Sequence, residues 1–197
     1  MTEVQATQSI IAYHMTCASG FDAFKIAKDD VGIHFGTRNQ ALDRLRWKEI
    51  NGYPRGNPAL IEARLDLNNP LRLEDYGEWT PSRLAEELVN LEVIDFDDAG
   101  TRPRQATIRK LLHSRGHDGI VYRNVGEALG LAEAFIEEQR LRKELSHHER
   151  MSEDWKAAQA IFMAAAHKLN TIRESAEDSY IVLSPDQITI LSTEIME

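Results

Sequence analysis

Only one cysteine, Cys17, occurs in the 197 residues. A single thiol cannot close an internal disulfide or build a cysteine-ligated zinc site, and such scarcity fits a reducing compartment. Proline is sparse too, with six in the chain and none from Gly126 to Arg173. Positive charge is in deficit: 23 Lys and Arg stand against 32 Asp and Glu, for a formal net charge of −9. Broad binding to nucleic-acid phosphates is disfavoured, because most of the surface repels them. The local exception is the cluster Arg102, Arg104, Arg109, Lys110 and Arg115, which reads as the polar face of a helix. No apolar run approaches the roughly 20 residues of a membrane-spanning helix. The first ten residues also lack the basic segment of a secretory signal. These absences predict a soluble, cytoplasmic protein. Hydrophobic residues at 42% and charged residues at 28% suit a single globular domain over 1–197.

What is present reads as strands mixed with helices. Ile10–Tyr13 and Val31–Phe35 are short strands. Thr37 is a helix N-cap, and Gln40 completes a capping box before Ala41, Leu42 and Leu45. Tyr53 to Pro58 is turn-rich. Leu60, Leu65 and Leu67 mark a strand that ends in a turn at Asn68-Asn69-Pro70. Thr80-Pro81 opens a helix through Leu84, Leu88 and Leu91, and Pro103 opens another that closes near Gly116. Ile120–Tyr122, Tyr180–Leu183 and Ile188–Leu191 are further strands. Tyr122 and Tyr180 are strand aromatics, at least one of them a core residue.

Between two of these strands, residues 126–173 are dominated by strong helix formers. Leu129, Ala132, Ile136, Leu141 and Leu145 form a helical stripe. Ser146-His147-His148 breaks it, and Ser152 restarts a second helix of about equal length. The spacing predicts an inserted helical hairpin whose seam is Phe135, Ile136, Phe162 and Met163. Such a segment is not needed to close a sheet, so it is expected to mediate association, either as a homo-oligomer or with a target. His147-His148 beside Glu149 is a solvated bend, since adjacent helical residues point apart; no metal is expected. The fold class is α+β.

Two histidines, His14 and His34, stand at the same point of successive strands, each just before a hydroxyl-bearing turn: "AYHMT" and "GIHFGT". With "LNNPLRLED", "RGHDGIVYRN" and "DSYIVLSPDQI" they form an ordered set over Ile10 to Leu191. In this order the chain resembles the ADP-ribosyltransferase family, in the small version found in polyvalent proteins of phages and mobile elements. The resemblance implies a split β-sheet core with flanking helices, and NAD as substrate. His14 would bind a ribose of NAD, the backbone of Met15 would hold the nicotinamide amide, and Thr16 would support that contact. Gly32, His34 and Phe35 would line the nicotinamide and its ribose, with Thr37 and Tyr180 also on the binding side.

The family's last-strand glutamate falls at Ser179 here, and its glycine after the first histidine is Met15. Strand alternation puts Glu177 on the Ser179 face, making Glu177 the candidate acid beside His14, His34 and Ser179. A carboxylate is wanted because cleaving the nicotinamide–ribose bond develops positive charge on the ribose. Two functions follow from the resemblance. One is transfer of ADP-ribose from NAD to a protein target or nucleic-acid acceptor, or hydrolysis of NAD. The other is a catalytically degenerate binding module acting in protein interaction or anti-defence.

Overall fold

A computed structural model describes residues 8–17, 23–52, 57–77, 79–100, 102–128 and 130–196. Strand β1 (Gln8–Thr16) runs antiparallel to β3 (Ala59–Leu67), which pairs antiparallel with β7 (Ile188–Ile195). A second sheet has the order β2 (Ile33–Phe35), β6 (Asp178–Val182), β5 (Gly119–Arg123), β4 (Pro70–Leu73). Only β4 and β5 are parallel in it. The sheets touch where Tyr13 and Gly36 exchange both backbone hydrogen bonds, at 2.8 and 2.9 Å.

Alternation along β3 builds the core between the sheets. Ile61, Ala63, Leu65 and Leu67 point inward, each at most 2% exposed, while Glu62, Arg64 and Asp66 alternate outward. The facing sheet contributes Ile33, Phe35 and Val182. A fully buried Leu or Ile contributes about 1.5–3 kcal/mol, so this seam is a main source of cohesion. The four-stranded sheet is buried on its other face too. There Leu73, Ile120, Tyr122 and Ile181 meet Leu84 and Leu88 of α2 (Pro81–Asn90), with Ile108 and Leu112 of the helix Gln105–Ser114.

Local capping chemistry fixes several helix starts. Thr37 and Gln40 form the reciprocal box that opens α1 (Arg38–Ile50), and Thr80 caps α2 with Pro81 at its first position. A single turn, α3 (Phe96–Ala99), precedes α4, the helix Gln105–Ser114. That helix begins two residues after Pro103 and has no side-chain cap, and Gly116 follows it at φ +86°.

Several expectations shift. β3 ends in the expected turn at Asn68-Asn69, but Pro70 is not part of that turn: it already opens β4 in the other sheet. The Asp118 carboxylate holds this corner by accepting from the Asn68 and Asn69 N–H groups at 2.6 and 3.0 Å. Residues 53–56 of the turn-rich segment, and Leu129, lie outside the described residues.

The hairpin consists of α5 (Leu131–Leu145) and α6 (Glu153–Glu174), 15 and 22 residues rather than equal lengths. It is inserted between β5 and β6, which pair directly from Gly119↔Val182 to Arg123↔Asp178. Its seam is built from Leu131, Ala134 and Leu169, with Phe135 and Ile172 beside them. Ile136 and Met163, expected in that seam, are 39% and 57% exposed. The base of the hairpin rests on α1: the Asp43 carboxylate accepts from the Ala132 N–H at 3.2 Å, and Trp47 packs on Phe135. Ser146-His147-His148 forms the anticipated bend. Among the described residues no helix is long and apolar enough to cross a membrane.

Candidate functional site

A cleft of about 650 Å³ opens where β1 and β2 meet. Strand parity explains which side chains reach it. On β1, His14 shares the inter-sheet face with Ala12, while Tyr13 and Met15 pack toward α1 with Ala41, Leu45 and Leu60. The Met15 side chain is thereby stowed, at 6% exposure, although the residue still lines the cleft. Tyr13 directs its N–H and C=O to the outer edge of β1, toward Gly36. Antiparallel ladders alternate these directions residue by residue, so Met15 presents its N–H and C=O to that same edge.

His14 Nδ1–H donates to the His34 carbonyl at 2.7 Å, since only a protonated nitrogen satisfies an oxygen there. Its other nitrogen is then an acceptor. Burial lowers the His14 pKa below 6.5, and Lys48 and Arg44 push the same way, so the ring is neutral at pH 7. Phe24 and Phe35 pack on it at centroid distances of 5.3 and 5.6 Å. His34 faces the other side of β2, 6.4 Å from Trp79, which packs on Tyr122 at 4.6 Å. Burial, with Arg44 and His14, pushes the His34 pKa down to about 4.

Gly32 leads into β2 because nothing larger fits. A Cβ there would lie 2.4 Å from the Val182 carbonyl oxygen and 2.7 Å from Ile181 Cγ2.

Ser179 enters the cleft wall from β6 but is only 2% exposed. Its hydroxyl donates to Gln40 Oε1 at 3.0 Å and accepts from Asn124 Nδ2 at 3.1 Å. Gln40 in turn accepts from the Thr37 N–H at 2.7 Å and donates to the Glu177 carbonyl at 2.9 Å. The serine is therefore a link in a buried amide network rather than an open donor.

His14, Met15, Thr16, Gly32, His34, Phe35 and Ser179 share the cleft. Three other expected residues stand outside its lining. Tyr180 follows Ser179 by one residue and so takes the opposite face of β6, against the inter-sheet core. The Thr37 hydroxyl caps α1. Glu177 precedes β6 and is exposed, and its carbonyl, not its carboxylate, joins the network through the Asn124 N–H and Gln40. The basic cluster also lies elsewhere: Arg109 donates to the Asp30 and Val31 carbonyls, and Arg115 pairs with Asp98.

The cleft has charged residues that the strand motifs do not contain. Lys25, Arg44 and Lys48 bring positive charge to its lining and Asp30, Asp75 and Glu127 negative charge, with Arg44 and Glu127 paired at 2.8 Å. Gln40, Arg44 and Lys48 recur at four-residue spacing and so share one face of α1; that periodicity is visible in the sequence, but not which surface the face meets. Glu127 had no local signal at all. The chemistry on offer is a neutral imidazole acceptor, aromatic walls for a planar ring, a peptide edge suited to a carboxamide, and cations for an anionic group. No protein-family model, no curated protein and no solved structure matches the chain.

Proposed function

We propose that this cleft binds NAD and that the protein is an ADP-ribosyltransferase, passing ADP-ribose to a macromolecular target or to water. The observation that carries the reading is the meeting of His14, His34 and the Met15 peptide edge at the crossing of two sheets, beside Arg44 and Lys48. In this reading the two sheets are the split core of the ADP-ribosyltransferase fold, with the hairpin as an insert.

Each group has a task. The unprotonated nitrogen of His14 accepts from a ribose hydroxyl. The N–H and C=O of Met15 hold the carboxamide of nicotinamide, whose ring lies against the aromatic wall. Arg44 and Lys48 face the pyrophosphate, and their charge matters because the chain as a whole repels anions. Held this way, the nicotinamide leaves from a fixed orientation, which lowers the entropic part of the barrier.

Titration calorimetry with millimolar NAD, paired with nicotinamide-release chromatography, tests this. Wild type should bind and release nicotinamide, and His14→Ala should bind about tenfold more weakly through loss of one hydrogen bond. Absence of both heat and thermal shift with NAD would refute the reading. Binding without release supports the second reading, a non-catalytic module that grips a partner. That reading is favoured by the neutral Ser179, whose hydroxyl already has protein partners.

A further inference from the structure

Among the described residues, three acidic ones line the cleft: Asp30, Asp75 and Glu127. Their surroundings separate them. Both Asp75 oxygens are engaged by backbone, accepting from the Gly77 N–H at 2.8 Å and the Val125 N–H at 3.0 Å, so Asp75 ties two loops together. Asp30 is exposed in the turn before β2. Glu127 is different: its side chain is 24% exposed, and it is held by side chains rather than backbone. Arg44 Nη1 donates to one oxygen at 2.8 Å, and Asn124 Nδ2 donates to the other at 3.2 Å. The same Asn124 amide donates to Ser179. One amide thus joins the Glu127 carboxylate to the β6 position where a carboxylate was expected and a serine stands.

We propose that Glu127, supplied by the first residues of the inserted segment, is the catalytic carboxylate of this cleft. The proposal rests on the NAD reading above. Glu127 accepts from the 2′-hydroxyl of the nicotinamide ribose. The bond between ribose C1′ and the nicotinamide nitrogen breaks, and its electron pair leaves with neutral nicotinamide. The positive charge that develops on C1′ is stabilised by the carboxylate. A nucleophile, water or an acceptor hydroxyl or amine, bonds to C1′ and gives up its proton to Glu127, which passes it to solvent. Arg44 holds the carboxylate in place until the pyrophosphate competes for its guanidinium. The insert therefore contributes to the site as well as projecting from the fold, and Asp43 secures its first turn by accepting from the Ala132 N–H.

The test compares full-length wild type with Glu127→Gln, an isosteric change that keeps an oxygen for Arg44 or Asn124. NAD affinity is read by calorimetry, nicotinamide release by single-turnover chromatography, and folding by thermal melting. The expected result is release slowed about 100-fold or more, with the Kd for NAD within about threefold of wild type or tighter and the melt unchanged. If the variant melts early, Glu127→Asp serves instead: it keeps the charge on a shorter stem, and release should fall while binding holds. Wild-type binding and release with undiminished release in Glu127→Gln overturns the role of Glu127 alone. Binding without release by wild type also overturns it and leaves the binding-module reading. No binding by wild type refutes the NAD reading itself.

Discussion

Replacing Asp43 by asparagine should stabilise the protein at neutral pH, and by less in mild acid. Asp43 lies on α1 against the start of α5, 2% exposed, with one oxygen accepting from Ala132 and the other, Oδ2, without a hydrogen-bond partner among the described residues. Burial raises its pKa from 3.8 to about 6, with Glu133 and Glu127 adding repulsion that the Ala132 and Ala128 N–H groups only partly offset. A carboxyl whose folded pKa is raised favours folding below its unfolded value, and that contribution is lost as pH rises through about 6. At 1.36 kcal/mol per unit, the shift makes the ionised group a burden of at most about 3 kcal/mol at pH 7.5.

Asparagine keeps the acceptor for Ala132 and never ionises, but must fit an amide N–H₂ where Oδ2 sits. A gain of about 1–3 kcal/mol is expected at pH 7.5, or roughly 3–10 °C in Tm for a domain of this size. Thermal melts of both proteins at pH 7.5 and pH 5 measure it, and the gain should shrink at the lower pH, where wild-type Asp43 is already largely protonated. A loss of stability at both pH values, or a gain that ignores pH, would refute the reasoning.

Acid should act on His34 with the opposite sign. Its pKa is held at about 4 instead of 6.5, so the stability it confers is full above about 6.5 and falls away toward pH 4. Because Asp43 titrates in an overlapping range, the comparison is Asp43→Asn with and without His34→Phe; equal acid slopes would remove His34 as the cause. Gly32→Ala should destabilise by about 2–3 kcal/mol in urea unfolding, because the added Cβ meets backbone of β6 that cannot yield without opening the β2–β6 pair. A change below about 0.5 kcal/mol would show that this contact relaxes freely.

The features legible in the sequence are those set within a few residues of chain. The Thr37–Gln40 box, the Thr80-Pro81 start and the Ser152 cap involve groups one helical turn apart, so their chemistry is complete in the local sequence. The apolar–polar alternation of β3 and the helix-rich, proline-free insert are equally local, and they predict a strand, a hairpin and an α+β domain. What the sequence could not decide is which surfaces meet. The β4 strand forms by pairing with β5, after a corner that Asp118, 49 residues from Asn69, pins between the sheets. Tyr180 leaves the cleft because β6 is buried on both faces, and an apolar run does not say which face looks at which core. Glu177 matched the expected parity but precedes the strand, whereas Glu127, in a connection without periodicity, is brought beside Ser179 by Asn124, Arg44 and the docking of α5 on α1. Periodicity fixes the direction of a side chain relative to its own backbone. Its neighbours are fixed only when sheets cross and an insert docks, and those contacts join residues far apart in the chain.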